Sequence, residues 1–240
     1  MENKLYGKTI IWNGDSICSG LKETGNWATR IAEWNSMECK NYAVGGGTIA
    51  DGLPLTASGN IRHSVARTLD KMYEEYPNAD YIIIEGGTND ADLLGNVLKG
   101  ENTRLGSYEP YNYSGDYDVN TFCGALESVF YHAAKYWKGK KIAFVIAQKM
   151  RERSADMTDM QNRRYYYDKA VEICIKWGIP YIDLWNGCYL NPMLPWMWDN
   201  TKTADENKAE NTGFYIDGQH LTGYGYDVTA DMIDSWLKTI

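Results

Sequence analysis

A chain of 240 residues, 44% hydrophobic and 23% charged, carries enough apolar side chain for one substantial core and is short for two, so it reads as a single domain spanning 1–240. A formal net charge of -8 without any cluster of lysine and arginine excludes a nucleic-acid backbone as partner. The densest basic stretch, 151–164, interleaves its arginines with Glu152, Asp156 and Asp159 and has the pattern of a solvated face.

In chain order, Thr9-Ile10-Ile11-Trp12 is a short, β-branched apolar run stopped by the turn residues Asn13-Gly14-Asp15, the pattern of a buried first strand. Residues 26–34 put Trp27, Ile31 and Trp34 on one helical face. A second strand is expected over 39–44, and the triple glycine that follows it frees the backbone for close approach to something small. The helix expected over 62–76 stops at Pro77, and the unbroken apolar run Tyr81-Ile82-Ile83-Ile84 has the pattern of a strand buried on both faces. Helices over 119–137, 158–177 (Val171, Cys174 and Ile175 inward) and 221–237 alternate with strands over 141–147 and 179–184. Such alternation implies a parallel sheet, and right-handed crossovers put helices on both of its faces. Two polar, aromatic stretches without periodicity, 92–118 and 186–212, interrupt the alternation as insertions at the carboxyl edge of the sheet.

The five cysteines are scattered, odd in number and without C-x-x-C spacing, the pattern of reduced thiols. The polar opening residues leave no room for the apolar core of a signal peptide, and no run approaches membrane-spanning length. The chain as given is expected in the cytoplasm.

Ser16 falls where the first turn gives way to a helix. Its hydroxyl therefore lies beside backbone N–H groups that lack intrahelical partners and accept a developing anion. A serine in that place is a candidate nucleophile or a helix cap, and Gly14-Asp15-Ser16 alone fits both. Three further stretches bear on the choice. Asn41-Tyr42-Ala43-Val44-Gly45-Gly46-Gly47-Thr48 follows the second strand, Glu85-Gly86-Gly87-Thr88-Asn89-Asp90 follows the third, and Asp217-Gly218-Gln219-His220-Leu221 precedes the last helix. Together, across the whole chain, they resemble the four blocks of the SGNH (GDSL-like) hydrolases. The serine, glycine, asparagine and histidine of that family fall on Ser16, Gly46, Asn89 and His220, and Ile17 stands where the family name has leucine. The resemblance implies a flavodoxin-like, three-layer α/β/α sandwich on a five-stranded parallel sheet, expected in the order 2-1-3-4-5, with esterase or lipase chemistry. Independently of the family, ligands of such sheets bind at the carboxyl ends of the strands where strand order reverses, and three of the four blocks end the first three strands.

Serine attacks an ester only when a base takes its proton. Of the three histidines, His63 begins a helix and His132 lies inside one, as packing or surface residues do; His220 remains. Asp217, three residues earlier, is placed to accept the Nδ1 proton and stabilise the imidazolium. The expected catalytic set is thus Ser16, Asp217 and His220. The N–H groups of Ser16 and Gly46 and the side-chain amide of Asn89 are the expected oxyanion donors. Asp15 and Asp90 read as turn formers and Thr48 as a brace of its loop. No cofactor is called for, and there is no H-E-x-x-H or other recognisable metal set.

Three rival readings are weaker. The run Gly45 to Ala50 fits G-x-G-x-x-A, yet it follows the second strand, and the Pro54 region after it does not continue as a helix. An ordinary α/β-hydrolase elbow, G-x-S-x-G, fails at Cys18. A non-catalytic carbohydrate-binding protein would use Tyr189, Trp196 and Trp198 as an aromatic platform. The same three residues, among Asn191, Asp199 and Asn200, and Tyr108, Tyr111, Tyr113 and Tyr117 in the first insertion suit stacking on a sugar, whereas a long acyl chain needs an aliphatic groove. The competing reading is that these aromatics simply pack over the sheet edge. The expected substrate is a short-chain, acetyl-type, small-molecule or glycan ester, with a lipase or lysophospholipase-type acylhydrolase as the alternative.

Overall fold

The computed structural model describes residues 3–101 and 103–240. Five parallel strands, β1 (Thr9–Asn13), β2 (Glu38–Asn41), β3 (Tyr81–Glu85), β4 (Lys141–Ile146) and β5 (Tyr181–Asp183), pair in the order β2-β1-β3-β4-β5, as the alternation predicts. β1 and β3 lie at the centre, with Trp12 opposite Asn41 on one side and Ile83 on the other. Every residue of β3 is buried, which accounts for its unbroken apolar run, while β2 at the edge alternates between exposed and half-buried.

Nine α-helices occur among the described residues: α1 (Ser16–Ser19), α2 (Trp27–Asn35), α3 (Val65–Glu75), α4 (Thr88–Leu93), α5 (Phe122–Tyr136), α6 (Asp159–Trp177), α7 (Leu184–Gly187), α8 (Ala204–Glu210) and α9 (Gly223–Leu237). α2 packs with α9, and α3, α5 and α6 pack in a row; right-handed crossovers put these two groups on opposite faces of the sheet. Four of the five longer helices start where the sequence supplies a cap: Asn26, Ser64, Thr121 and Thr222 each accept an N–H from the first turn, whereas Thr158 before α6 makes no such bond. None of the described helices is long and apolar enough to cross a membrane.

Two helical faces differ from the sequence expectation. The buried stripe of α2 runs through Trp27, Ala28, Ile31, Ala32 and Asn35, and Trp34 lies beyond its edge, 48% exposed. The stripe is turned that way because Asn35 donates to Asp234 Oδ1 of α9 at 2.6 Å, so a polar residue takes an inward position. In α6 the inward residues include Tyr166, Tyr167, Ala170, Ile173 and Cys174, while Ile175 points to solvent.

The first insertion leaves the carboxyl edge and runs down the α5–α6 face. Its tyrosines do not gather at the site: Tyr113 and Tyr117 pack edge-on against Trp177, and the Tyr113 hydroxyl donates to the carbonyl of Lys176. The packing reading therefore holds for this cluster, and Tyr111 stands exposed. At its centre the Lys176 ammonium pairs with the Glu127 carboxylate, both side chains only 3% exposed, and also donates to the Asn112 carbonyl at 2.8 Å. Four aromatic rings, Tyr108, Tyr113, Tyr117 and Trp177, surround the same ammonium. Removing one partner of a buried pair strands the other. Lys176→Met is expected to destabilise the protein by about 3–5 kcal/mol in denaturant unfolding.

Candidate active site

The turn after β1 sets the geometry of the site. Asp15 caps α1 by accepting the Ile17 N–H at 2.8 Å, so Ser16 becomes the first helical residue at the carboxyl end of a central strand. Gly14 is required just before it, because a Cβ there would come within 2.6 Å of Glu85 Oε2. From the other end of the chain, Thr222 caps α9, and the turn before that helix brings His220 to the same edge. His220 Nε2 lies 2.9 Å from Ser16 Oγ, and His220 Nδ1 lies 2.9 Å from Asp217 Oδ2. The other oxygen of Asp217 accepts the backbone N–H groups of Gln219 and His220 at 3.0 and 2.8 Å, which fixes the carboxylate beneath the ring. With Nδ1–H donating to that carboxylate, Nε2 is left as the acceptor for the serine proton.

The charges follow from these contacts. Burial alone would lower the His220 pKa, but the hydrogen bond and charge of Asp217, with the charge of Asp15 behind them, outweigh it and raise it above the ordinary value. Burial raises the Asp217 pKa, and its contacts with His220 overcome that and bring it down to about 2, so it stays ionised.

Beside the serine, the glycine loop turns at Gly46 with φ of 74°, a left-handed conformation that a side chain would strain. Among the described residues the N–H groups of Ser16 and Gly46 find no acceptor, which leaves both free for a ligand oxygen. The Asn89 amide adjoins them at the start of α4 and donates to the Gly47 carbonyl at 2.9 Å and, more loosely, to Asp15 Oδ2 at 3.3 Å. Asp90 does more than form a turn: its two oxygens accept the N–H groups of Ile49 and Ala50, both at 2.9 Å, and tie the β3 block to the glycine loop. Thr48 braces that loop through the carbonyls of Ala50 and His63. His63 holds Asn13 Oδ1 at 2.8 Å and His132 a helical carbonyl at 2.8 Å, the packing roles that their positions predict.

The aromatic residues of the second insertion separate. Trp198 lies under the Arg151 guanidinium, 5.4 Å from its ring, and lines a cleft of about 420 Å³ with Arg151, Met193, Pro195, Asn200 and Thr201. A second opening shares Arg151, Trp198 and Asn200 with the first and reaches Asp217. Trp196 is exposed outside the lining of the cleft, and Tyr189 packs edge-on against Phe214. Sequence reasoning passed over Arg151 and Glu85. For Glu85 a signal was present: an acidic residue ends an otherwise apolar strand.

No family model matches the chain, and no curated protein matches it by sequence. Solved structures do match over nearly its whole length. A protein from Lactobacillus plantarum has a TM-score of 0.72 at 19% identity, with 98% of each chain covered. A Bacteroides ovatus protein described as a GDSL-like lipase has a TM-score of 0.58 at 16% identity, covering 98% of this chain and 99% of that one. A carbohydrate acetylesterase family member from Sinorhizobium meliloti has 0.59 at 13%, covering 97% and 98%. The resemblance to the SGNH hydrolases read from the four blocks is met at the level of the fold.

Two expectations come from the geometry. Asn89→Ala should lower kcat on an aryl acetate by roughly 10²- to 10³-fold with KM little changed if the amide exchanges its contact with Gly47 or with Asp15 for an oxyanion that forms only during the reaction. In a pH–rate profile of kcat/KM the acid limb should lie above about 6.5, the ordinary histidine value. The sign follows from the raised His220 pKa: below it the imidazolium has no lone pair for the serine proton, and activity falls as pH drops.

Proposed function

We propose that this protein is a serine ester hydrolase that removes short acyl groups, acetyl foremost, from a carbohydrate or another polar alcohol. The observation that carries the reading is the Ser16–His220–Asp217 relay, closed by two contacts of 2.9 Å beside two unpartnered backbone N–H groups. In the proposed reaction His220 takes the Ser16 proton as Oγ attacks the ester carbonyl. The oxyanion settles on the N–H groups of Ser16 and Gly46 and on the Asn89 amide. Collapse expels the alcohol with the proton held by His220, and water attacks the acyl-serine by the same steps in reverse. Asp217 keeps the imidazole in the required tautomer and stabilises its charged form.

The substrate side rests on the cleft over Trp198, next to the opening that reaches Asp217. Its wall combines the Trp198 ring, Met193 and Pro195 with Arg151, Asn200 and Thr201, a mixed surface proposed for the apolar face and hydroxyls of a sugar. The carbohydrate acetylesterase family member of the same fold agrees with this choice, and the GDSL-like lipase supplies the alternative. Trp196 and Tyr189 line neither opening and enter the proposal only as outer contacts for a longer glycan.

Ser16→Ala should abolish ester hydrolysis, with a loss that approaches ~10⁶-fold, and leave circular dichroism unchanged. On aryl esters of increasing chain length activity should fall beyond the shortest acyl groups; a steady rise from acetyl to octanoyl would make the enzyme a lipase. Trp198→Ala should impair an acetylated oligosaccharide more than a small aryl acetate, and Trp196→Ala and Tyr189→Ala less so.

A further inference from the structure

Beneath the proposed nucleophile three carboxyl groups, Asp15, Glu85 and Asp90, are completely buried. Asp90 spends both oxygens on backbone N–H groups, and Asp15 caps α1 and receives the Asn89 amide. Glu85 is different. One oxygen, Oε2, accepts the Asp15 N–H at 3.1 Å, while Oε1 is buried and receives no hydrogen bond among the described residues. The Asp15 side chain lies on the same turn, close enough for its charge to bear on Glu85.

We propose that Glu85 is a positioning residue of the esterase site, which works as a neutral acid: its carboxyl group accepts the Asp15 N–H and donates its own proton to the Asp15 carboxylate. Two neighbouring carboxylates, without a cation, do not both stay ionised in a dry interior. The titratable groups whose charges couple most strongly with Glu85 are Asp15 from its turn, Cys18 from α1, Asp90 from α4, Tyr167 from α6 and Tyr226 from α9, and none of them brings positive charge. No group of three acidic, cysteine or histidine residues is arranged to hold a metal ion among the described residues, so protonation is what relieves the charge. Asp15 accepts two N–H groups, from Ile17 and from the Asn89 amide, which favours its charged form, whereas Glu85 accepts one, so the proton belongs on Glu85; burial, followed by the Asp15 charge, raises the Glu85 pKa well above the carboxylate range. A protonated Oε1 needs an acceptor rather than a donor, and the Asp15 carboxylate is the acceptor proposed for this otherwise orphaned oxygen.

The arrangement gives Glu85 a task at a distance from the reacting atoms. One negative charge is kept on Asp15, where it faces the start of α1 and the Asn89 amide and adds to the forces that raise the His220 pKa. Glu85 itself locks the β1 turn to the β3 block, which supply the serine and the asparagine respectively.

This rests on Ser16 being the nucleophile, so the experiment has one arm that does not involve activity. Glutamine reproduces both hydrogen bonds of a neutral acid: its carbonyl accepts the Asp15 N–H, and its amide donates to the Asp15 carboxylate. Glu85→Gln is therefore expected to keep kcat, KM and the acid limb of the pH–rate profile, while Glu85→Ala lowers kcat on an aryl acetate by ~10- to 100-fold with KM nearly constant, as displacement of a catalytic group does. A loss in Glu85→Gln as large as that in Glu85→Ala, or a shift of its acid limb to lower pH, overturns the proposal, since either means that the ionised carboxylate was at work. An unchanged kcat in Glu85→Ala overturns it as well. Infrared difference spectra of wild type against Glu85→Gln, at the pH of maximal activity, should show the carbonyl stretch of a protonated carboxylic acid that the variant lacks. Absence of that band overturns the proposal even if Glu85→Ala fails to fold, and its presence in a protein without esterase activity would sink the functional reading alone.

Discussion

The hydrogen bond between Ser16 Oγ and His220 Nε2 joins residues 204 positions apart, and the architecture around it serves to hold that one distance at 2.9 Å. Each end is anchored separately. The serine sits at the carboxyl end of β1, paired on both sides, and the Tyr226 hydroxyl of α9 donates to the Ile17 carbonyl at 2.8 Å. The histidine turn is held by Gln148, which donates to the Gln219 carbonyl, and by the Arg151 N–H, which donates to the Gly218 carbonyl at 2.7 Å. Between them α2 and α9 are cross-linked by polar contacts that fix register, which apolar packing alone does not: Trp27 Nε1 to Thr229 Oγ1 at 2.7 Å, Asn35 to Asp234 and Arg30 to Asp227, both at 2.6 Å.

The carboxyl groups near this bond divide into two kinds. Asp217 is partly exposed, accepts backbone N–H groups and faces an imidazole, so its charge is stabilised. Asp15, Glu85 and Asp90 face one another in a dry interior. Burial raises the pKa of each, and Asp90 reaches about 7 despite its two backbone donors. The same residue types thus act in opposite ways within one site, with the difference set by burial and by the sign of the nearest neighbour.

Much of the fold was legible in the chain. β1 and β3 are central strands whose burial on both faces forces an apolar run, and turn residues at their ends mark where the site begins. The four blocks were legible because close approach and left-handed turns restrict the residues that fit, as at Gly14 and Gly46. What local pattern could not supply was the partner across space. Trp34 has helical spacing but not the orientation that the Asn35–Asp234 contact imposes. The tyrosines of the first insertion resembled a sugar platform until Lys176, some sixty residues away, drew them to the opposite side of the sheet edge. Trp198 could be told from Trp196 and Tyr189 only once Arg151 was seen above it. The role proposed for Glu85 depends on Asp15, seventy residues earlier.

The docking of α2 on α9 also bears on how the protein comes into being. β1 and α2 are made well before α9 and the imidazole, and contacts of such wide sequence separation form late and slowly. Until α9 docks, Ser16 stands apart from His220 and the apolar face of α2 is exposed. Closure of the Ser16–His220 contact and burial of that adhesive surface therefore arrive together.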